Sequence, residues 1–222
     1  LGVGAVATKT YVDDVFSTNV YTGAGSGQVI NNGIDNSSEG GMVWFKRRDG
    51  TYDHQIVDTI RGGNKGIRPN LSSAEITTTY ISSFNNNGYT LGNENAASQS
   101  GLSFAAWNFR KASGFFDVVT WSADSGNNTK TLNHNLGSVP GLIVFKKYDA
   151  DWSWVVWHRD MDANKYMYLN TDGAAATNAD MAASNVTSTQ FTVGGDHNGG
   201  SGNYIAYLFA GGESTAATAR SV

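Results

Sequence analysis

The chain has 222 residues, of which 40 % are apolar, 12 % aromatic and only 15 % charged, with a net charge of −4. That supports one large core or two small ones, while an acidic balance with no basic block beyond Lys46-Arg47-Arg48 argues against a nucleic-acid partner. The absence of cysteine excludes a disulfide framework and thiolate zinc, and no run of about 20 apolar residues is present to cross a bilayer as a helix.

Residues 1–14 form a lead-in segment. Its apolar start, Leu1 to Ala7, lacks an initiator Met, a basic n-region and an h-region, so it does not read as an intact signal peptide, and the chain reads as trimmed from something longer. Residues 15–110 then read as a first β unit. Gly41 to Arg47 is a strand with apolar residues on both faces, so a central one; Asp49-Gly50 is a turn and Gln55 to Val57 a further strand. Ser72 to Ser82 is expected to be a loop, with a weak capping-box pattern at Ser72 or Ser73 ahead of Glu75 that allows a helical turn. Asn86-Asn87-Gly88 closes a hairpin into Tyr89 to Leu91. Residues 111–114 are a hinge, and residues 115–211 form a second β unit. Its strands are expected near Gly141 to Lys147, Ser153 to Trp157, Phe191 to Val193 and Tyr204 to Phe209, with a loop over Thr177 to Ser188. Residues 212–222, rich in Gly, Ser, Thr and Ala, are expected to form a flexible tail.

The two units are copies of one pattern. Gly41-Met42-Val43-Trp44-Phe45-Lys46-Arg47 lies over Gly141-Leu142-Ile143-Val144-Phe145-Lys146-Lys147 at an offset of 100, and the register continues through Asp49/Asp149, Tyr52/Trp152, Ile56/Val156, Asn64-Lys65/Asn164-Lys165 and Asn70/Asn170. A shift of two residues aligns Ile30 with Leu132 and Tyr89-Thr90-Leu91-Gly92 with Phe191-Thr192-Val193-Gly194. The offset of 100 returns for Phe104/Tyr204, Trp107/Tyr207 and Phe109/Phe209. Internal repetition of this kind predicts an all-β chain of two tandem homologous β-sandwich or jelly-roll-like units.

Residues suited to chemistry are sparse. His134 reads as a turn cap and His197 as a hairpin-tip residue. Asp35 to Glu39 and the loop around Asp196 offer oxygen ligands but lack the EF-hand spacing. No metal or cofactor is expected, and no catalytic set is recognised. A polysaccharide depolymerase would need paired carboxylates; Asp149/Asp151 and Asp160/Asp162 are pairs in sequence, but nothing in the sequence sets them along a groove. The most unusual run is Asp151 to Arg159, with Trp152, Trp154 and Trp157 followed by His158 and Arg159. Strand alternation puts Trp152, Trp154 and Val156 on one face and Val155 and Trp157 on the other. These residues, with Tyr52 and His54 at the corresponding places of the first copy, are candidate glycan or interface contacts.

Several segments resemble a family of marine tailed-phage virion proteins, those of cyanophage- and pelagiphage-like viruses. They are Tyr11-Val12-Asp13-Asp14-Val15-Phe16, Ile30-Asn31-Asn32-Gly33-Ile34-Asp35, Trp107-Asn108-Phe109-Arg110-Lys111-Ala112 and His134-Asn135-Leu136-Gly137-Ser138-Val139-Pro140-Gly141. Members are usually labelled tail-fibre, appendage or uncharacterised structural proteins, and no catalytic residues come with them. The resemblance implies a subunit of an exterior fibre, appendage or capsid-decorating layer on the virion. It would be a homo-oligomer, with a trimer the expected form, in contact with other virion proteins and not inserted in a membrane. A receptor- or glycan-binding module at a fibre tip, meeting a host surface glycan, is the alternative, ahead of a depolymerase.

Overall fold

The computed structural model describes residues 10–124, 126, 128–212 and 217–218. The first half contains β1 (Thr10–Tyr11), α1 (Val12–Val15), β2 (Phe16–Thr22), β3 (Val29–Asn31), β4 (Gly41–Arg47), β5 (Gln55–Asp58), β6 (Lys65–Gly66), β7 (Ile76–Thr77), β8 (Ile81–Asn85), β9 (Gly88–Leu91), α2 (Asn95–Ser98) and β10 (Ser103–Arg110). The second contains β11 (Phe116–Ser122), β12 (Lys130–Asn133), β13 (Pro140–Lys147), β14 (Val155–His158), β15 (Lys165–Tyr168), β16 (Ala176–Thr177), β17 (Gln190–Val193), β18 (Asn203–Ala210) and β19 (Ala217–Thr218).

The chain is all-β, in two sandwich-like halves of one topology. In the first, the large sheet runs β2-β10-β4-β5 and faces a small sheet β3-β9-β8; in the second, β11-β18-β13-β14-β15-β16 faces β12-β17. The β6–β7 pair joins the first large sheet through a bridge between Ile56 and Ile67, which completes the correspondence with β15 and β16. Local bonding is duplicated along with the strands. Asn70 accepts from the His54 N–H at 3.0 Å and Asn170 from the Trp154 N–H at 2.8 Å. Asp49 accepts from the Ser103 N–H and Asp149 from the Asn203 N–H, both at 2.8 Å. Tyr21 stacks on Phe104 as Trp121 stacks on Tyr204, with centroids 5.2 and 5.3 Å apart.

Strand alternation divides the apolar residues among three clusters. Val43, Phe45 and Val57 meet Tyr89 and Leu91 inside the first unit, and Ile143, Phe145 and Val155 meet Phe191 and Val193 inside the second. The opposite faces of the same strands meet each other: Met42, Ile56 and Ile67 of the first unit pack with Val144, Trp154, Ile205 and Tyr207 of the second. Both faces of the second unit's central strand are therefore covered, while on the first unit's outer face Met42 and Ile56 are buried and Trp44 is half-buried.

At the centre of this junction sits a buried polar set. Arg61 and Asp58, whose side chains are 3 % and 0 % exposed, pair at 2.6 Å. Arg61 reaches on to Glu75 at 3.0 Å, and Tyr207 of the second unit donates its hydroxyl to Asp58 at 2.8 Å. Burial and the Asp58 carboxylate push the Tyr207 phenol well above its ordinary range, which keeps it a donor. Residues 111–114 are tied to both units: Lys111 N–H donates to the Gly40 carbonyl and Gly114 N–H to that of Leu136.

Two local expectations need correction. The segment 72–82 carries no helical turn; it enters β7 and β8, and Glu75 is held by Arg61 and Lys65 instead of capping. The short helices lie at α1 and α2, the latter capped by Glu94, which accepts from the Ala96 N–H at 3.2 Å. Of the expected flexible tail, Ala217 and Thr218 pair in parallel with Thr10 and Tyr11, because an edge strand at the chain start offers them ladder partners. The rest of that tail beyond Gly212, and lead-in residues 1–9, lie outside the described residues.

The buried network makes one residue decisive. Arg61→Met should lower the unfolding free energy by about 3–5 kcal/mol, since Asp58 would stay buried without its cation; chemical denaturation of the two chains measures it.

Candidate functional site

The three tryptophans of 152–157 do not form one surface. The strand begins only at Val155, so Trp152 lies in the preceding loop. Trp154 is fully buried between the units, 0 % exposed, with its indole N–H donating to the Arg68 carbonyl at 2.8 Å. Trp157 turns the other way and packs on the second unit's own core. The alternation of 154 and 156 against 155 and 157 is as the sequence pattern has it, but Trp154 is an interface residue and cannot meet a glycan. His158 and Arg159 sit at the strand end beside Asp160, at 3.7 and 3.8 Å, and His158 Nδ1 accepts the Asp160 N–H.

The first-unit counterparts lie in a different setting. Tyr52 is 48 % exposed, with the Arg47 guanidinium 4.3 Å above its ring. His54 joins an aromatic depression lined by Trp44, Trp107 and Phe109. Trp44 on β4 and Trp107 on β10 are direct cross-strand neighbours, with centroids 6.3 Å apart and nearly perpendicular rings. The Trp44 indole N–H donates to His54 Nδ1 at 2.9 Å. Partial burial, helped by the charge of Lys46 and opposed by Asp53, lowers the His54 pKa, which keeps Nδ1 an acceptor at neutral pH. All four side chains are only half-buried. The residues at the same places in the second unit, Val144, Trp154 and Tyr207, are 8, 0 and 2 % exposed.

Sequence reasoning missed this depression, although a signal for it existed. Met42 and Trp44 alternate against Val43 and Phe45, and the repeat register sets Trp44 over Val144 and Trp107 over Tyr207. It also missed Lys146. That side chain is buried at the junction and donates to the carbonyls of Ser72, Ala150 and Trp152 at 2.9, 3.3 and 2.6 Å. Burial pulls its pKa down to about 8, against the opposing pull of Asp151 and Asp149.

The remaining polar candidates serve the fold. Asp35 Oδ1 accepts from the N–H groups of Ser37 and Ser38 and from the Ser37 hydroxyl, which closes its own turn. Asp149 holds the Asn203 backbone, Asp151 accepts the Ala74 N–H at 2.9 Å, and Asp162 pairs with Lys165. Among the described residues no group of three or more His, Asp or Glu is placed to hold a metal ion, and no helix is long and apolar enough to cross a membrane. His134 caps its turn: Nδ1 accepts the Leu136 N–H and the other ring nitrogen reaches the Thr187 carbonyl. His197 is not at an exposed tip. It lies in a short 3-10 turn, 1 % exposed, between the rings of Phe145 and Tyr204.

The architecture defines a duplicated, sandwich-like all-β protein with a half-buried aromatic cluster on the outer face of one unit. Residues 12–216 match the family described as "Domain of unknown function (DUF7483)", and the chain belongs to that family. No curated protein matches the chain. No solved structure matches it.

Burial lowers the His197 pKa to about 4, against smaller upward pulls from the Asp180 carbonyl and Asp196. The unfolded chain takes up this proton near pH 6.5 and the folded chain only near 4, so stability is complete above 6.5 and falls as pH drops through that window. The share from His197 is about 3 kcal/mol, and His197→Leu should remove it, flattening a plot of unfolding free energy against pH between 7 and 4.

Proposed function

We propose that this chain is a structural subunit of a virion exterior, a repeated β-sandwich building block of a fibre, appendage or capsid-decorating layer. The observation that carries the reading is the half-buried aromatic depression of Trp44, His54 and Trp107 on one of two units whose counterpart residues are buried. A half-buried indole pair on the sheet suits contact with another protein. The whole-chain resemblance to tailed-phage virion proteins supplies the setting. Reading the chain as a building block and not an enzyme also agrees with how its carboxylates are used, since Asp58, Asp149 and Asp151 each hold backbone or cation partners that the fold needs. Particles purified from a lysate in which the chain is made should carry it in many copies, open to antibody and protease on the intact surface. Absence of the chain from such particles overturns the reading.

A second reading, a glycan-binding module at a fibre tip, draws on a different place. At one end of the second unit Lys147, Trp152, Asp196, Gly199, Ser201 and Tyr204 line an open groove. The Lys147 ammonium stands 5.9 Å from the Trp152 ring and 5.8 Å from that of Tyr204. Aromatic rings beside polar groups can stack on a sugar while fixing its hydroxyls. On a glycan array the intact chain should give hits that Trp152→Ala abolishes without altering its thermal melt; an array with no hit removes this reading and leaves the first.

A further inference from the structure

Each large sheet has a seven-residue strand at one edge, β2 in the first unit and β11 in the second. An edge strand turns alternate residues outward, and each of them offers an N–H and a carbonyl to a further strand. On β2 the ladder decides which residues these are. The Gly23 N–H donates to the Leu102 carbonyl, so Tyr21, Asn19 and Ser17 bond toward β10 in the same way. Phe16, Thr18, Val20 and Thr22 are left on the free side.

The two edges are finished differently. On β11 the outward residues are Phe116, Val118, Thr120 and Ser122. Phe116 exchanges hydrogen bonds with Ala112, donating at 3.1 Å and accepting at 3.0 Å. The Val118 N–H donates to Asp117 Oδ1 at 2.9 Å, an oxygen that Lys111 also pairs with at 3.2 Å. The Ser122 carbonyl accepts from Lys130 Nζ at 2.9 Å. Phe116 and Val118 also bury their side chains in the junction between the units. A carboxylate folded onto its own strand guards that edge against a further one.

The edge at β2 has no such guard. Ser17 stands at the place of Asp117, and the strand from Phe16 to Thr22 contains no charge, no proline and no bulge. At its ends the Phe16 N–H donates to the Val12 carbonyl, and the Thr22 carbonyl accepts from Gln28 Nε2 at 2.9 Å. Between them the N–H and carbonyl groups of Thr18 and Val20 have no bonding partner among the described residues. Both side chains are exposed, Val20 at 67 %, beside Trp107 and Ala105 of the neighbouring strand.

These open groups complement one another. A two-fold axis normal to the sheet lays an edge strand antiparallel beside its own copy and keeps both outer faces on the same side. With Asn19 on the axis, Thr18 opposes Val20 of the second copy, and Val20 opposes its Thr18. Outward residues then meet outward residues, and each such pair exchanges two N–H···O bonds, which satisfies every open group on both strands. Centring the axis on Val20 or on Thr18 instead sets Thr18 against Thr22 or Val20 against Phe16, whose carbonyl and N–H are already engaged. None of the facing side chains is charged, so nothing repels across the axis. Another protein would have to bring an open edge of matching length; a second copy has one by construction. The exposed stripe is also continuous, through Trp107 and Trp44, with the apolar junction inside the chain.

We propose that β2 pairs with β2 of a second copy of this chain about a two-fold axis at Asn19, Thr18 against Val20, so that two four-stranded sheets become one of eight strands. The aromatic depressions at Trp44 and Trp107 then lie on one face of the joined sheet, on either side of a stripe formed by Thr18 and Val20 of both copies. This pairing goes beyond the virion reading and does not depend on it.

In sedimentation velocity over a range of concentrations the intact chain should run as a monomer–dimer equilibrium. Val20→Pro removes an N–H that the monomer leaves to solvent and sets a ring against the partner strand, so it should raise the dimer dissociation constant about tenfold or more. Because proline can strain the strand, Val20→Lys on the same exposed side chain gives a second variant, which should weaken the dimer comparably while leaving the thermal melt of dilute chain unaltered. The chain has no cysteine, so the register is read by mixing and oxidising Thr18→Cys and Val20→Cys chains. Dimers linked 18 to 20, mapped by peptide mass spectrometry, should exceed those linked 18 to 18 or 20 to 20, since directly opposed residues lie within disulfide reach. A chain that stays monomeric throughout, a dimer that both Val20 variants leave intact, or a preference for linking like positions overturns the proposal. So does a closed trimer, because a three-fold axis cannot set a strand antiparallel to its copy. A dimer with these properties that is missing from particles keeps this inference and loses the virion assignment; a chain on particles whose β2 does not pair does the reverse.

Discussion

The structure depends on the pairing of Asp58 and Arg61 beneath Tyr207. A carboxylate and a guanidinium buried this far lose most of their hydration, and they are tolerated only because each is bonded on several sides. The pair lies at the end of β5, where the first unit's sheet meets the second unit's strand β18. It therefore fixes register and orientation at a contact that apolar packing alone would leave free to slide. Around it Met42, Ile56 and Ile67 meet Val144, Trp154 and Ile205, which supply the non-directional part of the attraction.

This junction explains the asymmetry of two copies that share one topology. The two outer faces overlap unequally, so the junction covers more of the second than of the first. In the second unit the outer face is buried, so Trp154 and Tyr207 are core residues. In the first, Met42 and Ile56 of the same face are covered but Trp44, His54 and Trp107 stay half-buried and form a shallow aromatic depression, the indole of Trp44 held by His54. Lys146 and Lys46 show the same divergence at one position. Both reach backbone carbonyls of their own loop, but only Lys146 gains the Ser72 carbonyl of the other unit.

The polar residues that suggested chemistry serve mainly to close turns and dock units. Asp35, Asp49, Asp149 and Asp151 accept from backbone N–H groups, and Asn70 and Asn170 fix the entry to β5 and β14 in the same manner. With many loops and few charges, the fold relies on short polar side chains to satisfy the backbone where no ladder reaches it.

The duplication and its strands were legible in the sequence, because side chains alternate with period two and a repeat shows itself at fixed offset without any knowledge of contacts. The two-residue shift that aligns Tyr89 with Phe191 corresponds to β9 lying over β17, and the apolar character of both faces at Val43–Trp44 and Ile143–Val144 marked central strands. The helical turns at α1 and α2 were not legible, since four residues carry too little periodic signal. Nor could the run at Trp152 to Trp157 disclose that its three rings go to three different environments. Local pattern sets which face a side chain takes, and no more. What covers that face, wholly at Trp154 and Tyr207 in one unit and only at Met42, Ile56 and Phe109 in the other, was decided only when residues about 80 to 150 positions apart in the chain came together.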